Sequence, residues 1–252
     1  MIQDKVVAMK QEKISKPHTL DHEKQHMYAQ AFAFVGNSLL LPMSQTSSIG
    51  LSAQFWKAFP DFDSEDIACA LDGLAQWAEE NGVADPASAY SNDDSVNSYG
   101  DHNDLDTTDS GSVHAESDSI TSVSVEFTHL FIGPPSPAAA PWETFYRDEG
   151  VTSGFGRATI EMKQALREAG LEVANKNNQY ADHIGIELLY IAALCSKEAC
   201  LTSENREFFS QHPASWIARL KKAIQNAAPE GYYHQIVGLA EALLSSLINE
   251  IE

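Results

Sequence analysis

Basic residues are scarce in this chain, 16 Lys and Arg against 36 Asp and Glu, leaving a net charge of -20 over 252 residues. A surface of that sign repels phosphate backbones and anionic lipid, which makes nucleic acid and membrane surfaces poor partners. No apolar run is long enough to cross a bilayer, and residues 1–25 (MIQDKVVAMKQEKISKPHTLDHEKQ) lack the apolar stretch of a signal peptide. A cytoplasmic location without stable membrane insertion is the expectation. Cysteine is nearly missing as well: Cys69, Cys195 and Cys200 are an odd number without metal-type pairing. They exclude a disulfide framework and lead us to expect free, buried thiols in a reducing compartment.

What is present is helical periodicity, while strand-like alternation is scarce. Apolar residues at helical spacing predict helices over 22–41, stopped by Pro42, and over 64–81, with Asp63 or Ser64 as the cap and Asn81-Gly82 as the stop. Further helices are expected over 155–171, 182–199, 213–227 with Pro213 in the first position, and 232–249. The fold class is all-α: a single-domain helical bundle at 22–252 behind an N-terminal tail at 1–21. Residues 85–122 interrupt this pattern. They hold eight Asp, one Glu and nine Ser, with no Lys or Arg. Such a segment buries too little apolar surface to offset the entropy of ordering, so a flexible acidic insertion is expected there.

Three stretches carry functional information. The first, EFTHLFIGPPSPAAAPWETFY at 126–146, joins a helix end to a proline-stiffened loop that closes on aromatics. Restricted φ angles preorganise Trp142 and Tyr146, either as a ledge for a partner or as a plug in the bundle. The second, DHIGIEL at 182–188, places Asp182 to cap a helix with His183 in its first turn. These two neighbours are read either as a cap with a hydrogen-bonded His or as part of a site. The third sets Phe208, His212 and Trp216 four residues apart, before and inside a helix, in the manner of a core or a site.

In order and spacing the three stretches resemble the TorD/DmsD (NarJ-like) family of redox-enzyme maturation chaperones. The pattern E-[YF]-x-x-L-F-x-G-P, a proline-rich loop and P-W-x-[ST]-x-Y is met by Glu126, Phe127, Leu130, Phe131, Gly133, Pro134, Pro141, Trp142, Thr144 and Tyr146. Asp182, His183, Glu187 and Leu188 meet D-H-x-x-x-E-L, and Phe208, His212 and Trp216 close the set. Ala140 departs from the Pro that often precedes P-W, Phe145 from a smaller apolar residue, and the 85–122 insertion from a shorter connection. The resemblance implies a cytoplasmic, non-enzymatic chaperone that needs no cofactor or metal. It would bind the twin-arginine signal peptide, and the body, of a molybdopterin-containing oxidoreductase, assisting cofactor insertion and proofreading before export, as a monomer or a domain-swapped dimer. Leu130, Phe131, Pro134, Trp142 and Tyr146 would then form an apolar wall. Asp182 would pair with a leader arginine, and His183 would bond the peptide backbone or orient Asp182. The alternatives are a generic acidic helical adaptor for another client and a hydrolase using Asp182 and His183. The hydrolase is disfavoured because no nucleophile motif or phosphate-cradling glycine loop accompanies the pair.

Overall fold

The computed structural model describes residues 22–82, 110–147, 151, 154–173, 179–197 and 202–251, and among them every extended element is helical. The helices are α1 (His22–Leu40), α2 (Ala53–Ala58), α3 (Glu65–Asn81), α4 (Ser110–Phe127), α5 (Thr144–Arg147), α6 (Arg157–Glu168), α7 (Ile184–Cys195), α8 (Ser203–Gln211), α9 (Pro213–Ala227) and α10 (Tyr232–Glu250). Local chemistry sets many of their ends. Ser52, Ser64 and Thr202 cap α2, α3 and α8 by accepting the N–H groups of Phe55, Ile67 and Asn205. Pro213 opens α9, and Gly170, with φ +68°, turns the chain beyond α6.

At the centre lies α7, buried on every side: Ile184, Gly185, Ile186, Glu187, Leu188, Tyr190, Ile191, Ala192, Leu194 and Cys195 are all inside. It packs most extensively on α1, whose Tyr28, Phe32, Val35 and Leu39 are fully buried. The two helices cross where glycine faces glycine. A Cβ built on Gly185 would stand 2.7 Å from the Gly36 carbonyl oxygen, and one on Gly36 would stand 3.0 Å from the Gly185 oxygen. The Tyr28 hydroxyl bonds Ser246 Oγ at 2.8 Å and joins α1 to α10. Trp216, Leu220 and Ile224 of α9 are also fully buried, as are Ile236, Val237, Leu239, Leu243 and Leu247 of α10, which packs on α1, α3 and α9.

Two expectations are corrected. The acidic segment does not extend to 122: residues from Ser110 onward are helical in α4, and Val123 and Phe127 of that helix reach the core. Ser and Thr side chains there bond carbonyls one turn back, for instance Thr121 to Ser117 and Ser124 to Ile120, so a Ser-rich composition coexists with helix. The expected tail at 1–21 and insertion residues 85–109 lie outside the described residues. Of the thiols, Cys195 is in no disulfide and is buried as expected, Cys69 is likewise in no disulfide but exposed, and Cys200 lies outside the described residues.

Because backbone atoms, not a flexible side chain, close the α1/α7 crossing, Gly185→Ala is expected to destabilise by about 1–3 kcal/mol through overpacking. Urea unfolding measures it, and a stability equal to the parent would contradict this crossing.

Candidate functional site

The three informative stretches converge on one place. A wider helical turn at Thr128–Ile132 ends α4, and Gly133 reverses the chain at φ +74°, where a Cβ would stand 2.1 Å from the Ser136 oxygen. The loop then runs antiparallel to the segment entering α7. Trp142 and His183 form a β-bridge, the Glu143 N–H donates to the Asp182 carbonyl at 3.0 Å, and the Ile184 N–H donates to the Pro141 carbonyl at 2.9 Å.

Asp182 locks this junction. Its carboxylate is fully buried and accepts three hydrogen bonds, from the Thr144 N–H at 3.0 Å, the Thr144 hydroxyl at 2.6 Å and the Thr159 hydroxyl at 2.7 Å. One side chain therefore binds the loop, the start of α5 and the first turn of α6. Two expected roles are corrected. The α7 cap is not Asp182 but His183, whose Nδ1 accepts the Gly185 N–H at 3.1 Å. Nor is Asp182 placed to meet a leader arginine, since its oxygens are enclosed and already bonded. His183 is 1% exposed, which removes it both from contact with a peptide backbone and from the hydrolase reading; its capping bond also leaves the Asp182 carboxylate unoriented by it.

Glu143, Glu187, His212 and Trp216 form a second buried group. His212 Nδ1 lies 2.8 Å from Glu143 Oε2, and Trp216 Nε1 donates to Glu187 Oε2 at 3.1 Å. Arg147 stands 3.3 Å from Glu143 Oε1 and also pairs with Glu161. Burial pushes the Glu187 carboxyl far above its ordinary value, and the nearby Glu143 and Asp182 push the same way. Burial would likewise raise Glu161, but hydrogen bonds from Arg157 and Arg147 carry it below the usual range. The Tyr146 ring stacks on Trp216 at 5.2 Å, and burial raises its phenol.

The apolar wall is corrected too. Leu130 and Phe131 are core residues at 0% and 3% exposure, with Phe131 packed edge-on against Phe127 and Tyr233. Their neighbour Glu126 accepts the Tyr232 and Tyr233 N–H groups, both at 3.0 Å, and so caps α10, whose preceding residue Gly231 has no side chain to do so. Burial raises the Glu126 carboxyl, and these two bonds offset part of that. Pro134 is exposed, while Trp142 and Tyr146 are half-buried.

Sequence reading missed the surface that does remain. Trp142 stands in a run of aromatic contacts: Phe145 at 5.9 Å, Tyr180 at 6.3 Å and, beyond Tyr180, Phe155 at 5.9 Å. Tyr180 and Phe155 are 39% and 48% exposed. Tyr180 also borders a cleft of about 550 Å³ lined by Leu166, Leu171 and Val173, with Lys163 and Arg167 among its charged residues. Also missed was a match to H-E-x-x-H at residues 22–26. His22 and His26 lie on the exposed first turns of α1, where His26 contacts Gln30 at 3.0 Å. No third ligating side chain joins them among the described residues, so the motif is not a built metal centre here.

The family model described as the nitrate reductase delta subunit matches residues 101–222, which contain every motif residue from Glu126 to Trp216. Over 117 residues the chain is 29% identical to the Tat proofreading chaperone DmsD of Salmonella typhimurium, covering 46% of this chain and 55% of that protein. Over 131 residues it is 24% identical to the chaperone protein TorD of Vibrio cholerae, covering 48% of this chain and 59% of that protein. The half of the chain that carries the motifs is thus similar to proteins of the TorD/DmsD kind. The chain spans somewhat more than half the length of these TorD and DmsD relatives, whose names are those of chaperones and not of enzymes. No solved structure matches it. As in the sequence reading, no described helix is long and apolar enough to cross a membrane.

Two outcomes test the buried frame of this chain. Asp182→Ala strands three donors and is expected to cost about 3 kcal/mol or more in urea unfolding; a loss below about 1 kcal/mol would contradict the locking role. Burial holds His183 neutral in the folded state down to about pH 3, against an ordinary value of 6.5. Between those values the unfolded state binds more protons, so stability falls as the pH drops, by on the order of 1 kcal/mol per unit from this group. His183→Asn keeps a cap acceptor without titrating, and is expected to flatten the acid limb of stability against pH. An unchanged slope would contradict the assignment.

Proposed function

We propose that this protein is a cytoplasmic chaperone that binds the twin-arginine signal peptide, and the body, of a molybdopterin-containing oxidoreductase, assisting cofactor insertion and proofreading before export. The names of its relatives, Tat proofreading chaperone and chaperone protein TorD, support that reading. The observation that carries it is the aromatic ledge of Phe145, Trp142, Tyr180 and Phe155, held in place by the bridge between the proline loop and α7. An exposed apolar patch on a rigid base, beside a cleft with an apolar floor, suits an extended or helical apolar segment. The leader's apolar middle is that segment.

The charge of the chain suits the rest of the leader. A net charge of -20 draws a cationic start toward the protein and speeds encounter, an effect that salt weakens. Two basic residues, Lys163 and Arg167, line the cleft against one acid, Glu172, and this balance turns the leader's arginines away from α6 and its apolar middle over the ledge. The Trp142 indole N–H is an unspent donor, with no acceptor among the described residues, and a small shift of the ring offers it to a bound main chain. The buried frame contributes by fixing the ledge, and its residues take no part in contact.

Calorimetric titration with twin-arginine leaders from the same genome's molybdopterin enzymes tests the reading. Tyr180→Ala and Phe155→Ala are each expected to weaken binding about tenfold, near 1.4 kcal/mol, with folding intact. A double variant that binds the leader as tightly as the parent would remove the ledge as the site.

A further inference from the structure

The buried frame contains two carboxylate oxygens that its surroundings leave unused. Glu143 and Glu187 are both 0% exposed, yet Oε1 of each has no hydrogen-bond partner among the described residues. Arg147 comes within 3.3 Å of the Glu143 atom as an ion pair but makes no hydrogen bond to it. An orphaned buried acceptor costs about 1–3 kcal/mol and more when it is charged, so two of them at one place call for a positive occupant, either a proton shared between the two carboxyls or a metal ion. One ligating atom from each of Glu143, Glu187 and His212 lies within 4.8 Å of the other two. Two carboxylates and an imidazole form a donor set that divalent transition metals accept.

The surroundings resemble the outer sphere of a metal site more than a chance cluster. Trp216 Nε1 holds Glu187 Oε2, leaving Oε1 of that carboxylate turned to the cluster. His212 presents Nδ1 to Glu143, while its Nε2 lies 4.0 Å from Glu161 Oε2, beyond hydrogen-bond distance but near enough for a small shift to let that carboxylate orient a ligating imidazole. The His212 ring is further held by stacking on Phe208 at 4.1 Å. Arg147 and Glu161, with side chains 26% and 29% exposed, connect the cluster to the surface and give an ion a way in.

The geometry points to a binding site for one divalent transition-metal ion, zinc in the first instance, held by Glu143, Glu187 and His212 where α5, α7 and the α8–α9 junction meet. The ion would bind those three elements together beneath the aromatic ledge. It has a structural role there, since all three ligands are buried. This inference stands apart from the leader-binding reading: either can fail alone.

The test uses the full chain, stripped of metal by chelation, in a His22→Ala/His26→Ala background that removes the adventitious pair on α1. Cobalt(II) and zinc chlorides are the probes. Expected are one equivalent of bound ion, visible cobalt absorption of a low-coordinate site, and a rise in melting temperature with zinc. Glu187→Gln, which keeps an acceptor for Trp216, is expected to raise the zinc Kd about hundredfold or more, and Glu161→Gln by about tenfold to hundredfold. His212→Asn serves as the second ligand variant should Glu187→Gln fold poorly. The proposal is overturned by absence of cobalt absorption together with a zinc-independent melting temperature, or by an unchanged Kd in the ligand variants. It is equally overturned if the infrared carbonyl band of a protonated carboxylic acid persists at zinc saturation, because the pair would then hold a proton in place of the ion.

Discussion

The architecture of the site depends on one buried carboxylate. Asp182 accepts from Thr144 twice and from Thr159 once, across sequence separations of 38 and 23 residues. A carboxylate taken out of water is expensive unless its lone pairs are met, so these three donors and the acid require one another. The consequence is positional. With Thr144 fixed, the loop bearing Trp142 can lie in only one way against the start of α7, and the β-bridge to His183 follows.

Around that lock the polar residues of the motifs all act inward. Glu126 caps α10 from α4, His183 caps α7, His212 meets Glu143, and Trp216 meets Glu187. All but the His183 cap join elements distant in sequence, where a hydrophobic contact would tolerate sliding and a hydrogen bond would not. The frame thereby specifies the geometry of a surface to which it does not itself belong. Under the proposed function, recognition would be left to apolar rings on that surface, chiefly Tyr180 and Phe155, and to the acidic field of the chain.

Much of this fold was legible in the sequence, and the reasons are physical. Helical spacing located α1, α3, α6, α7, α9 and α10 because each buries a face in a common core. Short α8 escaped notice as a separate helix, since Phe209 is its only fully buried side chain. The start of α4 was hidden by Ser-rich composition, whose side chains bond back to the helix. The motif stretches were found, and their convergence follows from Trp142 meeting His183. The residues alone left inward and outward roles open, and the resemblance pointed Asp182 and His183 outward when they lie inward: residue type cannot distinguish an acid aimed at solvent from one satisfied by Thr159. Glu143 and Thr159 carried no local signal, because their partners are far along the chain. Tyr180 and Phe155 lay outside any motif.

Native-state amide hydrogen exchange of Glu143, Thr144 and Ile184 tests most directly whether the loop is locked to α7. These N–H groups donate to Asp182, to its carboxylate and to Pro141. They are expected to exchange only through global unfolding, with the denaturant dependence of core amides in α7. Exchange by a local opening independent of denaturant, while α7 stays protected, would contradict the account.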